Sequence, residues 1–185
     1  MIIGLLGGTF NPPHLGHVLI AQQVLDFTDC DEVWFVPVYG HTFLKPMEAV
    51  AHRVAMTQRL NLPHTAVSTL EIDHQLDGNT INLLPFLPPE HTYRFIIGTD
   101  NLPTFHLWGQ WELLLKKIPF LVYPRSGYPN EPLYPGMTMI NDEALIISNL
   151  SSTKIRERVS RGLSLQAFVP EGVWQYIQEN NLYKG

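Results

Sequence analysis

Hydrophobic residues along this chain fall into short blocks whose spacing alternates between strand-like and helical. Residues 2–6 (IIGLL) form an apolar run that ends at Gly7-Gly8, which reads as a buried strand entering a turn. From Leu15 the apolar positions Val18, Leu19, Ala21, Val24 and Leu25 recur at helical spacing, and the segment ends near Asp29. Residues 32–38 (EVWFVPV) are β-rich again. Strand, helix and strand within about thirty residues form a βαβ unit with a right-handed crossover. The alternation continues with a helix over 48–60, a strand over 65–72 and a short helix over 80–87 cut off by Pro88-Pro89. Residues 93–98 (YRFIIG) are the clearest central strand, almost continuously apolar, as a parallel sheet buried on both faces requires. A helix over 110–117 and a strand over 120–123 follow, and residues 124–137 gather prolines and glycines into a surface excursion. A last strand over 144–148 precedes closing helices over 152–161 and 173–180. The pattern predicts an α/β fold: a doubly wound, Rossmann-like parallel sheet with C-terminal helices, one domain over 1–185. Ligands on such sheets sit at the carboxyl ends of the strands, where strand order reverses.

Composition narrows the function. The chain has 185 residues, 45% hydrophobic and 16% charged, with a formal net charge of −5. Nucleic acid is excluded as the default partner, because a phosphate backbone demands clustered Lys and Arg. With only 12 Lys and Arg in the chain, each one beside a candidate site carries information. The single cysteine, Cys30, has no disulfide or zinc companion and reads as a buried thiol. No apolar run approaches the ~20 residues of a membrane span, and the start of the chain lacks a basic leader, so no membrane partner and a cytoplasmic location are expected.

The first chemical feature is GGTFNPPHLGH, residues 7–17. Gly7 and Gly8 follow the first strand directly and let backbone N–H groups approach a phosphate. The loop is neither GxGxxG nor a GK[ST] P-loop. Asn11-Pro12-Pro13 stiffens the turn, and the helix opens with His14 and His17, which share a face at a spacing of three. Gly16 between them is expected to leave room for a large ligand. A zinc centre needs about three or four ligands. The other histidines (His41, His52, His64, His74, His91 and His106) show no ligand spacing, so no protein-held metal is expected. The second feature is far along the chain. Ser151-Ser152-Thr153-Lys154-Ile155-Arg156 opens a helix whose hydroxyls, free N–H groups and dipole suit an anion, with Ser151 as N-cap and Arg156 about one turn in.

The first stretch resembles the loop of the HxGH nucleotidyltransferases, which attack the α-phosphate of a nucleoside triphosphate and release pyrophosphate and are related to the class I aminoacyl-tRNA synthetases. LSSTKIR, residues 150–156, resembles the same family's ISSTxIR motif. FIIGTDNLPTFHLW (95–108), HRVAM (52–56), VYPRSG (122–127) and the C-terminal FVPEGVWQYIQENNLY resemble the nicotinate (nicotinamide) mononucleotide adenylyltransferases within it. The resemblance covers nearly the whole chain. It implies that ATP is held by Gly7, Gly8, Thr9, Phe10, His14, His17, Gly98 and Asp100, with Ser151, Ser152, Thr153 and Arg156 on its β- and γ-phosphates. It implies an acceptor site made of Thr9, Asn11, Lys45, Thr80, Trp108 and Arg125, in which Lys45 holds the mononucleotide phosphate and Trp108 stacks on the pyridine. His14, His17, Lys45 and Arg156 are the implied catalytic set. Three places depart from the family's usual pattern: Leu44 before the lysine, Asn79 where many members carry an aromatic, and Gly109 after the tryptophan. All lie on the pyridine side.

The expected partners are thus ATP and nicotinate or nicotinamide mononucleotide, with Mg²⁺ bound through ATP phosphates and water. A mononucleotide phosphate, with a second pKa of about 6, needs no general base to attack. Two alternatives stay open: another HxGH transferase, such as a pantetheine-phosphate adenylyltransferase, and a non-catalytic nucleotide sensor on the same fold. The sequence also leaves room for a homo-oligomer.

Overall fold

A computed structural model describes residues 1–40, 47–131 and 133–184. Six strands build one sheet: β1 (Ile2–Gly8), β2 (Glu32–Pro37), β3 (Thr65–Val67), β4 (Thr92–Gly98), β5 (Phe120–Tyr123) and β6 (Met137–Met139). All neighbours pair in parallel, in the order β3-β2-β1-β4-β5-β6. The chain steps outward from β1 to β3, then returns across the sheet to β4. Strand order therefore reverses between β1 and β4, whose carboxyl ends are Gly7-Gly8 and Gly98. The helices are α1 (Leu15–Phe27), α2 (Val50–Thr57), α3 (Leu70–Asp73), α4 (Thr80–Leu83), α5 (Trp111–Lys117), α6 (Ser152–Ser160) and α7 (Glu171–Glu179).

Both faces of the sheet are buried, which is why its strands read as unbroken apolar runs rather than as alternating ones. The period of two is present but hidden. Ile3, Leu5, Phe95, Ile97, Phe120 and Val122 enter one core with Leu102, Phe105 and Leu114. Leu6, Ile96 and Leu121 enter the other, with Ala21 and Val24 of α1. A third core joins Met56 of α2, Ile155 of α6, Val173 and Ile177 of α7, and Leu182. Cys30 is a buried free thiol.

Four elements differ from the sequence reading. The strand expected over 65–72 stops at Val67, and Leu70–Asp73 coils into a helical turn closed by bonds from Ile72 and Asp73 N–H to the Thr69 carbonyl, both at 2.8 Å. The helix expected over 80–87 is a single α turn followed by a 3-10 turn, Leu84–Phe86. A 3-10 run, Thr99–Leu107, follows β4 without a sequence expectation. Residues 144–148 are not a strand, and the sixth strand is Met137–Met139 instead. The physical reason is visible at Ile146. Its carbonyl accepts from Gln23 Nε2 at 2.9 Å and from the Tyr123 hydroxyl, and Gln23 Oε1 accepts its N–H. Side chains have taken the backbone groups that a strand would offer to a ladder, and Ile146 and Ile147 face outward.

Candidate active site

A cavity of about 430 Å³ opens at the β1/β4 reversal point. It is lined by Gly7, Gly8, Thr9 and His17 from the phosphate loop and α1, by Gly98, Asp100 and Arg125, and by Thr80, Trp108 and Gly109. Asn101 and Thr104 also line it; both lie on the 3-10 run that the sequence reading missed.

His14 and His17 form a reciprocal cap on α1. The Gly16 N–H donates to His14 Nδ1 and the His14 N–H to His17 Nδ1, each at 3.1 Å. This is the logic of a capping box, with imidazoles in place of the usual hydroxyl and carboxylate. An Nδ1 that accepts an N–H carries no proton, so both neutral rings hold their proton on Nε2. The rings pack against each other, centroids 3.9 Å apart and 34° between planes. Burial pushes the His14 pKa well below its ordinary value, helped by His17 and then by Arg125. Burial, then Arg125, lowers that of His17 to about 3. Both are neutral Nε2–H donors at working pH, which suits charge stabilisation rather than proton abstraction. The remaining first-turn N–H groups of α1 are engaged: Leu15 donates to the Phe168 carbonyl and His17 to the His14 carbonyl, both at 2.9 Å.

Gly16 does not leave room for a ligand. A Cβ there would lie 2.8 Å from His14 Nδ1 and 3.3 Å from Leu150 Cβ. Its missing side chain admits the His14 ring and the start of the second motif. Phe10 is buried too. It holds a left-handed backbone (φ 47°) and packs its ring on His17 at 4.7 Å, a support beneath the histidine.

The loop carbonyls are gathered up by donors from two helices. Arg53, fully buried on α2, bonds the carbonyls of Thr9 (2.9 Å), Glu48 (3.1 Å) and Tyr39 (3.3 Å). Arg156 of α6 donates to the Asn11 carbonyl at 2.6 Å, and Ser152 Oγ to the Pro12 carbonyl at 2.8 Å. The two sequence motifs thus touch directly. Ser151 caps α6 by accepting from the Lys154 N–H at 3.3 Å, and Thr153 Oγ1 accepts from Arg156 at 3.4 Å. The N–H groups of Ser152 and Thr153 have no partner inside the helix. Asn11 is not among the described residues that line the cavity. Its buried side chain accepts from the Glu48 N–H at 3.1 Å and the Tyr183 hydroxyl at 2.9 Å, tying the loop to the chain's last turn rather than lining the cavity.

Arg125 joins the halves. Its N–H donates to Thr99 Oγ1 and its guanidinium to the Leu150 carbonyl, both at 2.9 Å, while Nε lies 3.6 Å from Asp100 Oδ1. That Nε is buried without a hydrogen bond among the described residues. Gly98 makes the arrangement feasible, since a Cβ there would fall 2.6 Å from Arg125 Cδ. Trp108 lines the cavity, backed by Phe105 at 5.2 Å and Phe95 at 6.2 Å. Lys45 and Leu44 lie outside the described residues. Arg53 was not singled out from the sequence, although an arginine on the apolar face of HRVAM was its signal.

The cytidylyltransferase-like family model matches residues 5–158. The chain is 40% identical to a Lactiplantibacillus plantarum protein named probable nicotinate-nucleotide adenylyltransferase, over 98% of this chain and 88% of that one. It is 33% identical to a Salinibacter ruber protein of the same name, over 100% of this chain and 98% of that one. Among solved structures it is similar to a Plasmodium falciparum nicotinic acid mononucleotide adenylyltransferase complexed with NaAD, with a TM-score of 0.84, 22% identity, and coverage of 98% and 97% of the two chains.

Proposed function

The chain belongs to the cytidylyltransferase-like family, and from that premise we propose that it is a nicotinate-nucleotide adenylyltransferase of NAD biosynthesis. It joins the AMP moiety of ATP to nicotinate mononucleotide and releases pyrophosphate. The observation that carries this reading is one cavity lined both by His17, at the phosphate loop, and by Trp108. The acceptor's phosphate oxygen attacks the α-phosphorus, one P–O bond forms, and the bond to the β-phosphate oxygen breaks with its electron pair leaving on pyrophosphate. His14, His17 and Arg125 supply positive hydrogen-bond character where charge develops. Ser152, Thr153 and Arg156 face the β- and γ-phosphates, and the rest is alignment.

Mg²⁺ would enter this site as a companion of ATP, bound through its phosphates. Among the described residues no cluster of three His, Cys, Asp or Glu could hold a metal. The cavity's carboxylate, Asp100, is paired with Arg125. Phosphate oxygens and water would be its ligands, and its charge would offset that of the triphosphate. We place the enzyme in the cytoplasm; no helix among the described residues is long and apolar enough to cross a membrane.

The direct test supplies Mg-ATP and nicotinate mononucleotide and follows both products. Equal amounts of dinucleotide and pyrophosphate are expected. ATP binding without pyrophosphate release, with any acceptor offered, would identify a sensor and end this reading.

A further inference from the structure

Arg53 is a buried cation without an anionic partner. It is 1% exposed, it does not line the cavity, and no ion pair among the described residues includes it. Its guanidinium donates instead to carbonyls from three stretches of chain: Nη1 to Thr9 at 2.9 Å, Nη2 to Tyr39 at 3.3 Å and Nε to Glu48 at 3.1 Å. Tyr39 lies between Val38 and Gly40, which line the cavity, and Glu48 lies on the approach to α2. A buried charge with no paired carboxylate is costly, so stability alone does not account for an arginine here. What no apolar side chain of that volume supplies is a rigid planar fork that registers three segments against one another.

The bond to Thr9 bears on the chemistry. A peptide plane is rigid, so fixing the Thr9 carbonyl fixes the whole Thr9–Phe10 peptide. Rotation of that peptide is rotation of Phe10 φ. The observed φ is 47°, a left-handed backbone that a bulky residue adopts only where its surroundings enforce it. Released from Arg53, the peptide has a less strained alternative, in which the Thr9 carbonyl turns away from α2 and Phe10 returns to negative φ. The Phe10 ring would move with it, and that ring packs on the His17 imidazole at 4.7 Å. The bond from the His14 N–H fixes His17 Nδ1, whereas the Phe10 ring backs the imidazole on its flank. The route therefore runs from Arg53 through the Thr9 carbonyl and Phe10 to His17.

Resting on the function proposed above, we propose that Arg53 is a positioning residue for adenylyl transfer, which holds the phosphate loop in the strained form that places the His17 donor. It touches neither substrate. Its bonds to Tyr39 and Glu48 brace the guanidinium on the far side, so that it does not follow the loop.

The test is a double-mutant cycle of Arg53→Lys and His17→Ala, with kcat and both KM values measured for Mg-ATP and nicotinate mononucleotide. Lysine keeps the charge and lacks the fork, which separates geometry from charge. Alone, Arg53→Lys is expected to lower kcat by about tenfold, the effect of one hydrogen bond. Either KM should change less, because the His17 donor acts where charge develops. In the His17→Ala background the same substitution is expected to lower kcat by less than about twofold, since the group it positions is gone. A general structural defect would give the same factor in both backgrounds. That result, or an unchanged kcat in Arg53→Lys, would overturn the inference. A measurement on the wild type covers the case in which Arg53→Lys does not fold. The NMR signal of the Arg53 Nε–H should exchange slowly with solvent and shift when Mg-ATP saturates the loop; a signal that Mg-ATP leaves in place would also overturn the inference. Each of these adverse results leaves the proposed function standing, whereas a wild type that forms no dinucleotide would overturn both.

Discussion

Each of the two histidines has one nitrogen fixed by structure and one left for chemistry. Nδ1 accepts a backbone N–H in both rings, so Nε2–H is the donor each ring has left. Removing one such preorganised donor costs about 10²–10³ in turnover. His17→Ala should therefore cut kcat by that factor, while circular dichroism of the folded protein stays native; near-normal kcat would remove His17 from the mechanism. Their buried neutrality also has a sign in pH. The folded pKa of His17, about 3, lies below its ordinary 6.5. Between those values the unfolded chain binds the extra proton, so stability is full above about pH 6.5 and falls as pH drops through that window. In His17→Asn this share of the slope disappears. The wild type's loss of unfolding free energy between pH 7 and pH 5, from urea titrations, should exceed the variant's by about 2 kcal/mol. Equal losses would mean that His17 is not held neutral in the fold. The histidine pair was legible in the sequence because helical spacing is a local rule. Arg53 and Asn11 were not, because what they do depends on carbonyls and hydroxyls brought in from distant segments.

At the scale of elements, the site is made where the first turns of α1 and α6 meet the loop between β1 and α1. Gly16 is the contact point, with His14 on one side and Leu150 on the other. Gly16→Ala forces a Cβ into both. Overpacking of this kind costs about 1–3 kcal/mol, and the displaced ring is one to which we assign phosphate binding. The expected outcome is a lowered Tm together with a rise in the KM for ATP larger than any change in the KM for the acceptor. A variant with wild-type ATP kinetics would show that α1 and α6 are not registered through this glycine. The sequence reading had the right element and the wrong reason for this residue: the sequence pattern shows that space is needed, not which side the occupant comes from. The same limit explains the strands. β1, β4 and β5 announce themselves as buried apolar runs, whereas three-residue β3 and β6 lie at the two edges of the sheet and carry little apolar signal. Residues 144–148 look like a strand because Ile146 and Ile147 are adjacent, yet Gln23 and Tyr123 claim the backbone there.

For the molecule as a whole, the problem is how a chain of net charge −5 holds a polyanion. Its answer is local convergence. Arg53, Arg125 and Arg156 come from three separate elements or their ends, and each bonds a backbone carbonyl of the phosphate loop or of the segment that abuts it. A carbonyl dipole left free there would repel phosphate; one bonded to a guanidinium is neutralised. The C-terminal layer keeps those donors in place. Met56, Ile155, Val173, Ile177 and Leu182 pack α2, α6 and α7 into one core, and Tyr183 then reaches from the chain's last turn to Asn11 in the loop. Burial pushes the pKa of its hydroxyl well above the ordinary tyrosine range, so it remains a donor at any working pH. Tyr183→Phe removes that donor and little else. The loss should be about 0.5–1.5 kcal/mol of stability, with the core intact. Because the bond holds the loop rather than the substrate, Mg-ATP should recover part of the lost Tm in a thermal-shift titration, and kcat/KM for ATP should fall more than kcat at saturation. A Tm loss that ATP does not reduce, with unchanged ATP kinetics, would make the tail a passive cover. The distance in sequence between Tyr183 and Asn11 is why no local pattern announced this contact, and why the end of the chain belongs to the machinery of its beginning.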